Sequence, residues 1–383
     1  MSKRTEQLIT VDGKTLKVSN IEKVLYPEAG FTKGQVIDFF VRIAPWLLPH
    51  VQGRPLTLKR YPNGVNGMFF YEKNCPEHRP EWVQTAPVWS EGNQRIMQYC
   101  LAQDVPTLIW AGNLADLEFH TSLSMADDMD HPTCVVFDLD PGEPANMVHC
   151  CQVGVWIRKV FDQLGLESFP KTSGSKGLQI YVPLNSKRET YETTKPFAHA
   201  MARLLEETHP ELVVSDMKKV LRVGKVLVDW SQNDIHKTTV AAYSLRAKAR
   251  PTVSTPVTWQ EVERCLKKKD PQLLVFETID TLRRCEQLGD LFYPVLELKQ
   301  QLPPLQQLGL KPAKRGRPGG GTVRPSQSAA GEASAAASTP AKRVRRSATA
   351  ANNEESPRRT AAGKTSTPAT VGEAGTKSKQ RSG

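Results

Sequence analysis

Apolar residues recur at helical spacing in several parts of the sequence. After Thr32, apolar residues recur three to four positions apart, at 36, 37, 40, 41 and 44. This spacing puts them on one face of a helix, and threonine is a favoured residue at a helix N-terminus. Similar patterns predict helices over 106–115, 153–164 and 194–207, and a last helix ending near Gly289. Thr258-Trp259-Gln260-Glu261 has the form of a capping box for one more helix, through Leu266.

Other short segments alternate between apolar and polar residues or are apolar throughout, as β-strands are. Two of them, 56–60 and 68–71, flank the turn-forming sequence Pro62-Asn63-Gly64. The remaining predicted strands cover 135–140, 178–182, 226–230 and 238–244. Helices and strands mixed in this way predict an α+β domain, which we place at residues 1–305.

The C-terminal part of the chain differs in composition and charge. Residues 311–383 carry 15 of the 51 basic and 4 of the 40 acidic residues, and almost no large apolar ones. Such a segment cannot offset its ordering entropy by burial, so we predict a disordered tail over 306–383. Residues 1–310 hold 36 charges of each sign, so the positive excess lies in the tail. It favours a polyanionic partner, nucleic acid before an acidic membrane surface.

The cysteines and the N-terminus bear on the compartment. The seven cysteines are odd in number and include no CxxC pair, which predicts neither a disulfide framework nor a structural zinc site. We interpret Cys75-Pro-Glu-His78 as a loop, and the adjacent Cys150 and Cys151 as small buried residues of a helix. The N-terminus lacks an apolar signal core, and no apolar run has the length of a membrane span. The expected protein is soluble, reduced and intracellular, without a membrane partner.

Three aspartates stand where strands are predicted to leave the core. Asp138 and Asp140 are two residues apart in one strand, so both side chains project from the same face. Asp229 ends the apolar run 226–228 in the same manner. Convergent carboxylates repel one another unless a cation lies between them, and three form a usual cradle for Mg²⁺ or Mn²⁺. Taken alone, the first pair fits a solvated strand end equally well, and the sequence permits but does not require Asp229 to meet it.

A loop rich in glycine and serine joins two predicted strands. In Lys171-Thr-Ser-Gly-Ser-Lys-Gly177 the glycines allow backbone N–H groups to converge, while the serines and Lys176 add hydroxyls and a positive charge. Such a loop suits a triphosphate, although the GxxxxGK[ST] spacing of a Walker A loop is absent, and an ordinary hairpin turn explains it as well. Downstream, Arg246 and Lys248 alternate on one face of a predicted strand, as further cations of the site or as solvated charges.

Four segments together resemble one family. They are VFDLDPG (136–142), KTSGSKGL (171–178), VDW (228–230) and KTTVAAYS (237–244). In this order they are similar to the archaeo-eukaryotic primase superfamily, and within it to the polymerase domain of bacterial LigD and its stand-alone Prim-PolC-type relatives. The resemblance covers roughly residues 15–300.

The resemblance implies a primase-polymerase fold in which two mixed or antiparallel sheets flank a catalytic cleft. It implies DNA-dependent addition of NTP or dNTP, often preferring ribonucleotides, to a 3′ end, with two Mn²⁺ or Mg²⁺ ions. Such an enzyme would fill short gaps or extend broken ends in the bacterial cytoplasm, on nucleoid DNA. No ligase or nuclease segment occurs in the 383 residues, so we expect a separate DNA ligase and a Ku-like end-binding protein as partners.

The resemblance also assigns roles to individual residues. The metal-binding and catalytic positions match Asp138, Asp140 and Asp229. The nucleotide-binding positions match His120, Ser173, Lys176, Gln179, Arg246 and Lys248. Two of these depart from the family: Gln179 replaces a histidine and cannot carry its charge, and Lys248 replaces an arginine and loses bidentate geometry. Both departures put rate and sugar preference in doubt more than the reaction.

Four further positions match DNA contacts of the family. Lys23 and Lys33 are placed like two lysines that hold the 5′-phosphate across a gap, although without the resemblance they would be solvated lysines. Phe69 and Phe70 resemble aromatics that stack on template bases. Because neighbours in a strand face opposite sides, we expect core packing for one of the two.

The tail contains a short basic sequence. Arg315-Gly316-Arg317-Pro318 has the form of an AT-hook core, whose arginines enter the narrow minor groove of A·T DNA. A generic basic linker is an equally good interpretation of four residues, and a second cluster at 342–346 favours phosphate contact.

Two alternatives stay open at the level of sequence. A primase would synthesise dinucleotides on unprimed single strands. A catalytically weak DNA-end or gap-binding module would bind through Lys23, Lys33 and the tail, and would extend nothing with Mn²⁺ and nucleotides. The leading hypothesis remains a template-dependent repair polymerase.

Overall fold

The computed structural model describes residues 6–305. The predicted tail at 306–383, with Arg315 and Arg317, lies outside the described residues, so the domain boundary at 305 stays a prediction. Within 6–305, no helix combines the length and the apolar character needed to cross a bilayer.

The described chain begins with strands and two helices. In chain order these are β1 (Glu6–Val11), β2 (Lys14–Ser19), β3 (Val24–Tyr26), β4 (Phe31–Thr32), α1 (Lys33–Val51), β5 (Leu56–Arg60), β6 (Phe70–Glu72), β7 (Thr85–Ser90), β8 (Arg95–Cys100), α2 (Val105–Asn113) and β9 (Asp116–Thr121). The second half continues with β10 (Ser124–Met125), β11 (Asp128–Pro132), β12 (Cys134–Pro141), α3 (Met147–Gln163), β13 (Phe169–Thr172), β14 (Leu178–Pro183), α4 (Tyr191–Thr208), β15 (Val213–Val214), β16 (Val226–Asp229), β17 (Thr239–Val240), α5 (Trp259–Lys268), α6 (Thr278–Leu288) and α7 (Pro294–Glu297).

Two large sheets organise these elements. One has six strands in the order β17-β9-β5-β8-β7, with β6 also paired to β5, and is antiparallel. The other has five strands in the order β13-β14-β12-β16-β15 and is antiparallel except for the parallel pair β15–β16. The predicted pair of mixed or antiparallel sheets is therefore present.

The fold has two hydrophobic cores, and the first of them also includes Val136 and Tyr181 of the five-stranded sheet. Helices α1 and α2 pack on the six-stranded sheet, where the rings of Phe40 and Phe119 are 5.0 Å apart. Helices α3, α4 and α5 pack on one face of the five-stranded sheet, where the rings of Phe137 and Phe161 are 5.4 Å apart. Because side chains alternate along β12, the residues that do not enter this second core project from the opposite face. That face carries Asp138 and Asp140.

Most predicted elements are observed, and several boundaries differ. Thr32 and Thr258 cap α1 and α5 through capping boxes, as their sequences predict. Helix α4 begins at Tyr191 rather than at 194, because Thr190 and Thr193 form its capping box. The strand predicted over 238–244 is only Thr239–Val240, since Tyr243 adopts a left-handed conformation with φ of 65° that no strand accommodates.

The expectation of a chain without disulfides is wrong. Cys75 and Cys100 are joined by a disulfide bond. They are 25 residues apart, but the hairpin of β7 and β8 returns the chain to the loop at 75–78, where Cys75 N–H donates to the Gln98 carbonyl at 2.6 Å. Spacing alone could not show this pairing. Cys150 and Cys151 are buried in α3, as predicted.

Candidate active site

The three aspartates lie on two adjacent strands of the five-stranded sheet. Asp138 and Asp140 belong to β12, and Asp229 is the last residue of β16. The register of this antiparallel pair places Asp229 directly opposite Asp138. The two residues are 91 positions apart in the sequence, and the pairing of β12 with β16 brings them side by side.

The carboxylates impose a high electrostatic cost on one another. Burial, together with the charges of Asp140 and Asp229, raises the pKa of Asp138 to about 8. Burial and Asp229 also raise the pKa of Asp140. Asp138 Oδ1 is buried and has no hydrogen-bond partner among the described residues. Such a cluster needs either protons or cations.

The donor set suits a hard divalent cation. Asp138 and Asp140 both border the cleft, and carboxylate oxygens are the ligands that Mg²⁺ and Mn²⁺ prefer. Asp229 is engaged: its oxygens accept from Ser231 N–H at 2.9 Å, from Ser231 Oγ at 2.6 Å and from Gln232 Nε2 at 2.9 Å. Over 6–305, no three acidic, histidine or cysteine side chains are already gathered as ligands. Asp229 would therefore bind a cation through its remaining lone pairs or after a rotation.

A polar cleft of about 640 Å³ opens beside the aspartates, between the two sheets. Its cationic or imidazole-bearing lining comes from both sheets and from loops. These residues are Lys73, His120, Lys176, Arg222, His236, Lys237 and Arg246. The cleft is large enough and positive enough to hold a nucleoside triphosphate. Sequence reasoning missed Lys73, Arg222 and His236, because no local motif marks them.

The loop between β13 and β14 forms one wall of this cleft. Gly174 has a φ of 65°, and a Cβ there would stand 2.7 Å from the backbone of Ser254. Ser173 Oγ accepts from the N–H groups of Ser175 and Gly177 at 3.2 and 3.1 Å. Lys176 is 66% exposed and reaches Glu143 at 2.5 Å across the cleft rim. The base of the loop is therefore fixed by hydrogen bonds and close backbone contact, and its tip carries an exposed cation.

Gln179 occupies the floor of the cleft rather than its rim. It is buried on β14 opposite Asp138, and its Oε1 accepts from Lys171 Nζ at 2.6 Å. Burial lowers the pKa of Lys171, and the nearby charge of Asp138 opposes this shift. The role of the Lys171 side chain was not recognised from the sequence, where only Lys176 is assigned the positive charge of this loop.

A buried carboxylate on β9 organises the opposite wall. Glu118 accepts from His120 Nε2 at 2.9 Å and from Ala247 N–H at 3.0 Å, and pairs with Arg246 Nε at 3.2 Å. Burial would raise the pKa of Glu118, but the hydrogen bond from His120 and the charge of Arg246 hold it below its usual range. Burial lowers the pKa of His120, which favours the neutral imidazole. Sequence reasoning missed Glu118, since its partners Arg246 and Ala247 are remote in the chain.

The strand predicted to carry Arg246 and Lys248 is not present. Both residues lie in an irregular segment that follows the left-handed turn at Tyr243. Arg246 borders the cleft and donates from Nη1 to the Ser173 carbonyl, which ties the two walls together. Lys248 is exposed beside it, and burial of its stem together with the charge of Arg246 lowers its pKa.

The two phenylalanines both face solvent. Phe69 is 48% and Phe70 is 44% exposed, so the expectation that one of them packs in a core is wrong. The reason is that Phe69 lies before β6 rather than within it, so strand alternation does not apply. Phe69 stacks on Tyr61 at 5.3 Å and touches Tyr71, which reaches the ring of His120 at 6.3 Å. A half-exposed aromatic surface therefore adjoins the cleft.

The two N-terminal lysines are close in backbone and opposite in environment. Lys33 N–H donates to the Lys23 carbonyl at 2.8 Å. Lys23 is exposed, and its Nζ donates to the Pro62 carbonyl at 2.6 Å. Lys33 is only 5% exposed, and its Nζ donates to the Asn113 carbonyl and side chain, each at 3.0 Å. The structure brings only Lys23 to the surface.

Comparisons with known proteins come from both sequence and structure. The pattern of the LigD primase-polymerase domain matches residues 32–292. The multifunctional non-homologous end joining protein LigD of Mycolicibacterium smegmatis is 39% identical over 282 residues, which are 73% of this chain and 36% of that protein. The bifunctional non-homologous end joining protein LigD of Bacillus subtilis is 30% identical over 264 residues, which are 69% of this chain and 42% of that protein. The chain thus spans less than half the length of these relatives.

A solved structure has the same fold. It is the polymerase domain of Mycobacterium tuberculosis Ligase D in complex with DNA, which is 37% identical to this chain with a TM-score of 0.67. The match covers 73% of this chain and 98% of that domain. At this identity and score the shared fold extends across the two sheets and the cleft between them.

Proposed function

The chain belongs to the LigD primase-polymerase family, and on that basis we propose that it extends 3′ ends of DNA by nucleotidyl transfer during repair. Membership confirms the resemblance inferred from sequence, the α+β primase-polymerase fold and the assignment to polymerases. The observation that carries the proposal is the placement of three aspartates on paired strands beside a triphosphate-sized cleft. Gap filling and end joining are the repair steps to which this chemistry belongs.

Asp138, Asp140 and Asp229 would hold two Mn²⁺ or Mg²⁺ ions. The buried, partnerless Oδ1 of Asp138 and the mutual repulsion of the carboxylates support this assignment. When bound, such ions supply Lewis-acid chemistry at the 3′-hydroxyl and at the triphosphate. The chain's own contribution is to place the carboxylates of Asp138 and Asp140 at the cleft and to leave Asp138 Oδ1 without a competing hydrogen-bond donor.

The walls of the cleft would bind and orient the incoming nucleotide. Ser173 and Lys176 suit phosphate oxygens from one side, and Arg246, held by Glu118, suits them from the other. His120, kept neutral by burial, is placed to hydrogen-bond the sugar or base. Gln179 is buried in the floor of the cleft and Lys248 is exposed beside Arg246. Their roles with the nucleotide, like a preference for ribonucleotides, are proposals of the same kind.

DNA would bind across the aromatic surface and the N-terminal hairpin of β3 and β4. Phe69 and Phe70 are free to stack on template bases, because both rings are half exposed. Lys23 is suited to the 5′-phosphate on the far side of a gap, whereas Lys33 would have to leave its Asn113 partners. Arg315 and Arg317 lie outside the described residues. For them we propose contact with DNA phosphates that weakens as salt is added. The test is to compare how the DNA affinities of residues 1–305 and of the full chain fall with salt.

A DNA ligase and a Ku-like end-binding protein are proposed as partners. The support for both is the similarity to proteins named for non-homologous end joining. Extension and joining assays with purified ligase and end-binding protein added one at a time test the two partners.

Primer extension on gapped DNA tests the proposed function. The substrate carries or lacks the 5′-phosphate, and ribonucleotides are compared with deoxyribonucleotides in the presence of Mn²⁺. We expect extension with both nucleotide types, faster with ribonucleotides, and stimulated by the 5′-phosphate. Lys23→Ala should lose that stimulation, while Lys267→Ala, at an exposed site on α5, should keep it. A chain that extends nothing contradicts the proposal, and equal rates with and without the phosphate remove the gap-recognition part.

A further inference from the structure

Four polar side chains form a row across the five-stranded sheet. The strand registers place Lys171 of β13 opposite Gln179 of β14, and Gln179 opposite Asp138 of β12. Asp138 in turn lies opposite Asp229 of β16. Directly opposed side chains of neighbouring strands point to one face, with Cβ atoms about 5 Å apart. The row runs without a break from a buried lysine to two aspartates of the candidate metal site.

Lys171 is completely enclosed, and its three N–H bonds are all used. Nζ donates to Gln179 Oε1 at 2.6 Å, to Ser254 Oγ at 2.7 Å and to the Val240 carbonyl at 3.0 Å. Ser254 Oγ itself donates to the Thr172 carbonyl, so it can only accept from Lys171. Three acceptors match the three donors of an ammonium group, whereas a neutral amine would leave one acceptor unpaired. Lys171 therefore has no donor left for a nucleotide or for DNA.

The ammonium group fixes which way round the Gln179 amide lies. A lysine ammonium cannot accept a hydrogen bond, so the amide must turn its oxygen towards Nζ and its NH₂ group away from it. Gln179 is buried, and the next side chain along the row is Asp138. An NH₂ group that faces a carboxylate attracts it, whereas the flipped amide would present an oxygen and repel it. The orientation set by Lys171 is thus the one in which the amide would attract the Asp138 carboxylate.

We propose that Lys171 is a positioning residue for the metal-binding carboxylate of Asp138, acting through the Gln179 amide. The inference rests on the proposed function, because it takes Asp138 as a ligand of a divalent cation. Groups behind a metal ligand orient it, and their loss typically weakens metal binding about 10- to 100-fold. The partnerless Oδ1 of Asp138 is the atom that this arrangement keeps available.

Mn²⁺ binding to the full chain, without nucleotide or DNA, tests the inference by titration followed with electron paramagnetic resonance. Lys171→Met and Gln179→Leu should each weaken binding about 10-fold or more. Because both changes act on Asp138 in series, the double variant should bind no more weakly than the weaker single variant. Arg54→Met, which removes another buried cation that donates to the Leu123 carbonyl, controls for lost stability and should keep the wild-type affinity.

Wild-type affinity in Lys171→Met, or additive losses in the double variant, overturns the inference and leaves the proposed function standing. If Lys171→Met does not fold, Gln179→Leu decides alone, because it leaves Nζ two of its acceptors. A loss of about 10-fold then supports the inference, and an unchanged affinity overturns it. If the wild-type chain has no Mn²⁺ site that Asp138→Asn removes, the proposed function and the inference fail together.

Discussion

At the scale of single residues, Asp138 in the floor of the cleft and Glu118 in its wall have opposite electrostatic environments. Burial and the neighbouring carboxylates raise the pKa of Asp138, whereas hydrogen-bond donors and cations around Glu118 outweigh its burial and lower its pKa. The environment of Asp138 suits a carboxylate that a bound cation would stabilise. The environment of Glu118 suits a carboxylate that stays ionised and orients His120 and Arg246. That Asp138 and Asp140 project from the same face of the sheet could be predicted from strand alternation. Glu118 could not, because its partner Arg246 is remote in sequence.

The raised pKa of Asp138 predicts how the metal-free protein responds to pH. Folded chains keep a proton on Asp138 up to about pH 8, while unfolded chains release it near the ordinary aspartate pKa of 3.8. The native state therefore binds more protons in this window, and the free energy of unfolding falls as pH rises through it. In thermal melts with a chelator, the melting temperature should fall from about pH 5.5 to about pH 8, and fall less in Asp138→Asn.

Asp127→Asn, at an exposed position of the β10–β11 hairpin, is the control and should keep the wild-type pH dependence. If the melting temperatures of wild type and Asp138→Asn depended on pH in the same way, Asp138 would not be the group whose raised pKa causes the effect.

At the scale of elements, local sequence patterns predicted some helices and strands, whereas other features depend on contacts between distant parts of the chain. Helix α1 and strands β12 and β16 could be predicted, because each has its own capping or apolar pattern. The extent of β17 could not, since it depends on the left-handed Tyr243, and the disulfide of Cys75 depends on a hairpin 10 or more residues away. The phosphate loop could be recognised by its glycines, but its tight contact with β12 appears only in three dimensions.

Gly177 tests that contact between the loop and β12. A Cβ at Gly177 would stand 2.1 Å from the Leu139 carbonyl oxygen, so Gly177→Ala must push β14 away from the strand that carries the aspartates. We expect a destabilisation of about 1–3 kcal/mol, measured by urea unfolding, together with weaker nucleotide binding. Gly92→Ala, at a hairpin turn with no atom within 4 Å of the added Cβ, should change neither. A Gly177→Ala chain with wild-type stability would show that the strands can separate freely there.

At the scale of the whole molecule, two sheets share part of one hydrophobic core and face each other across a polar cleft. The five-stranded sheet contributes the aspartates and the glycine- and serine-rich loop at 171–177, and the six-stranded sheet contributes His120 and Glu118. The order of motifs along the chain could identify the family, and the presence of two sheets followed from it. The pairing of β12 with β16 could not be predicted from local sequence, because it joins strands separated by two helices. It is this pairing that places Asp229 beside Asp138.

Primer extension by the double variant Asp138→Asn with Asp140→Asn tests the central claim most directly. Amides keep the shape of the carboxylates but cannot balance divalent cations. On gapped DNA with Mn²⁺ and nucleotides, we predict extension by the wild-type chain and none by the variant. Both should bind the gapped DNA with the same affinity and melt cooperatively. Extension by the variant at the wild-type rate would contradict the account, because the reaction would then proceed without the carboxylates assigned to it.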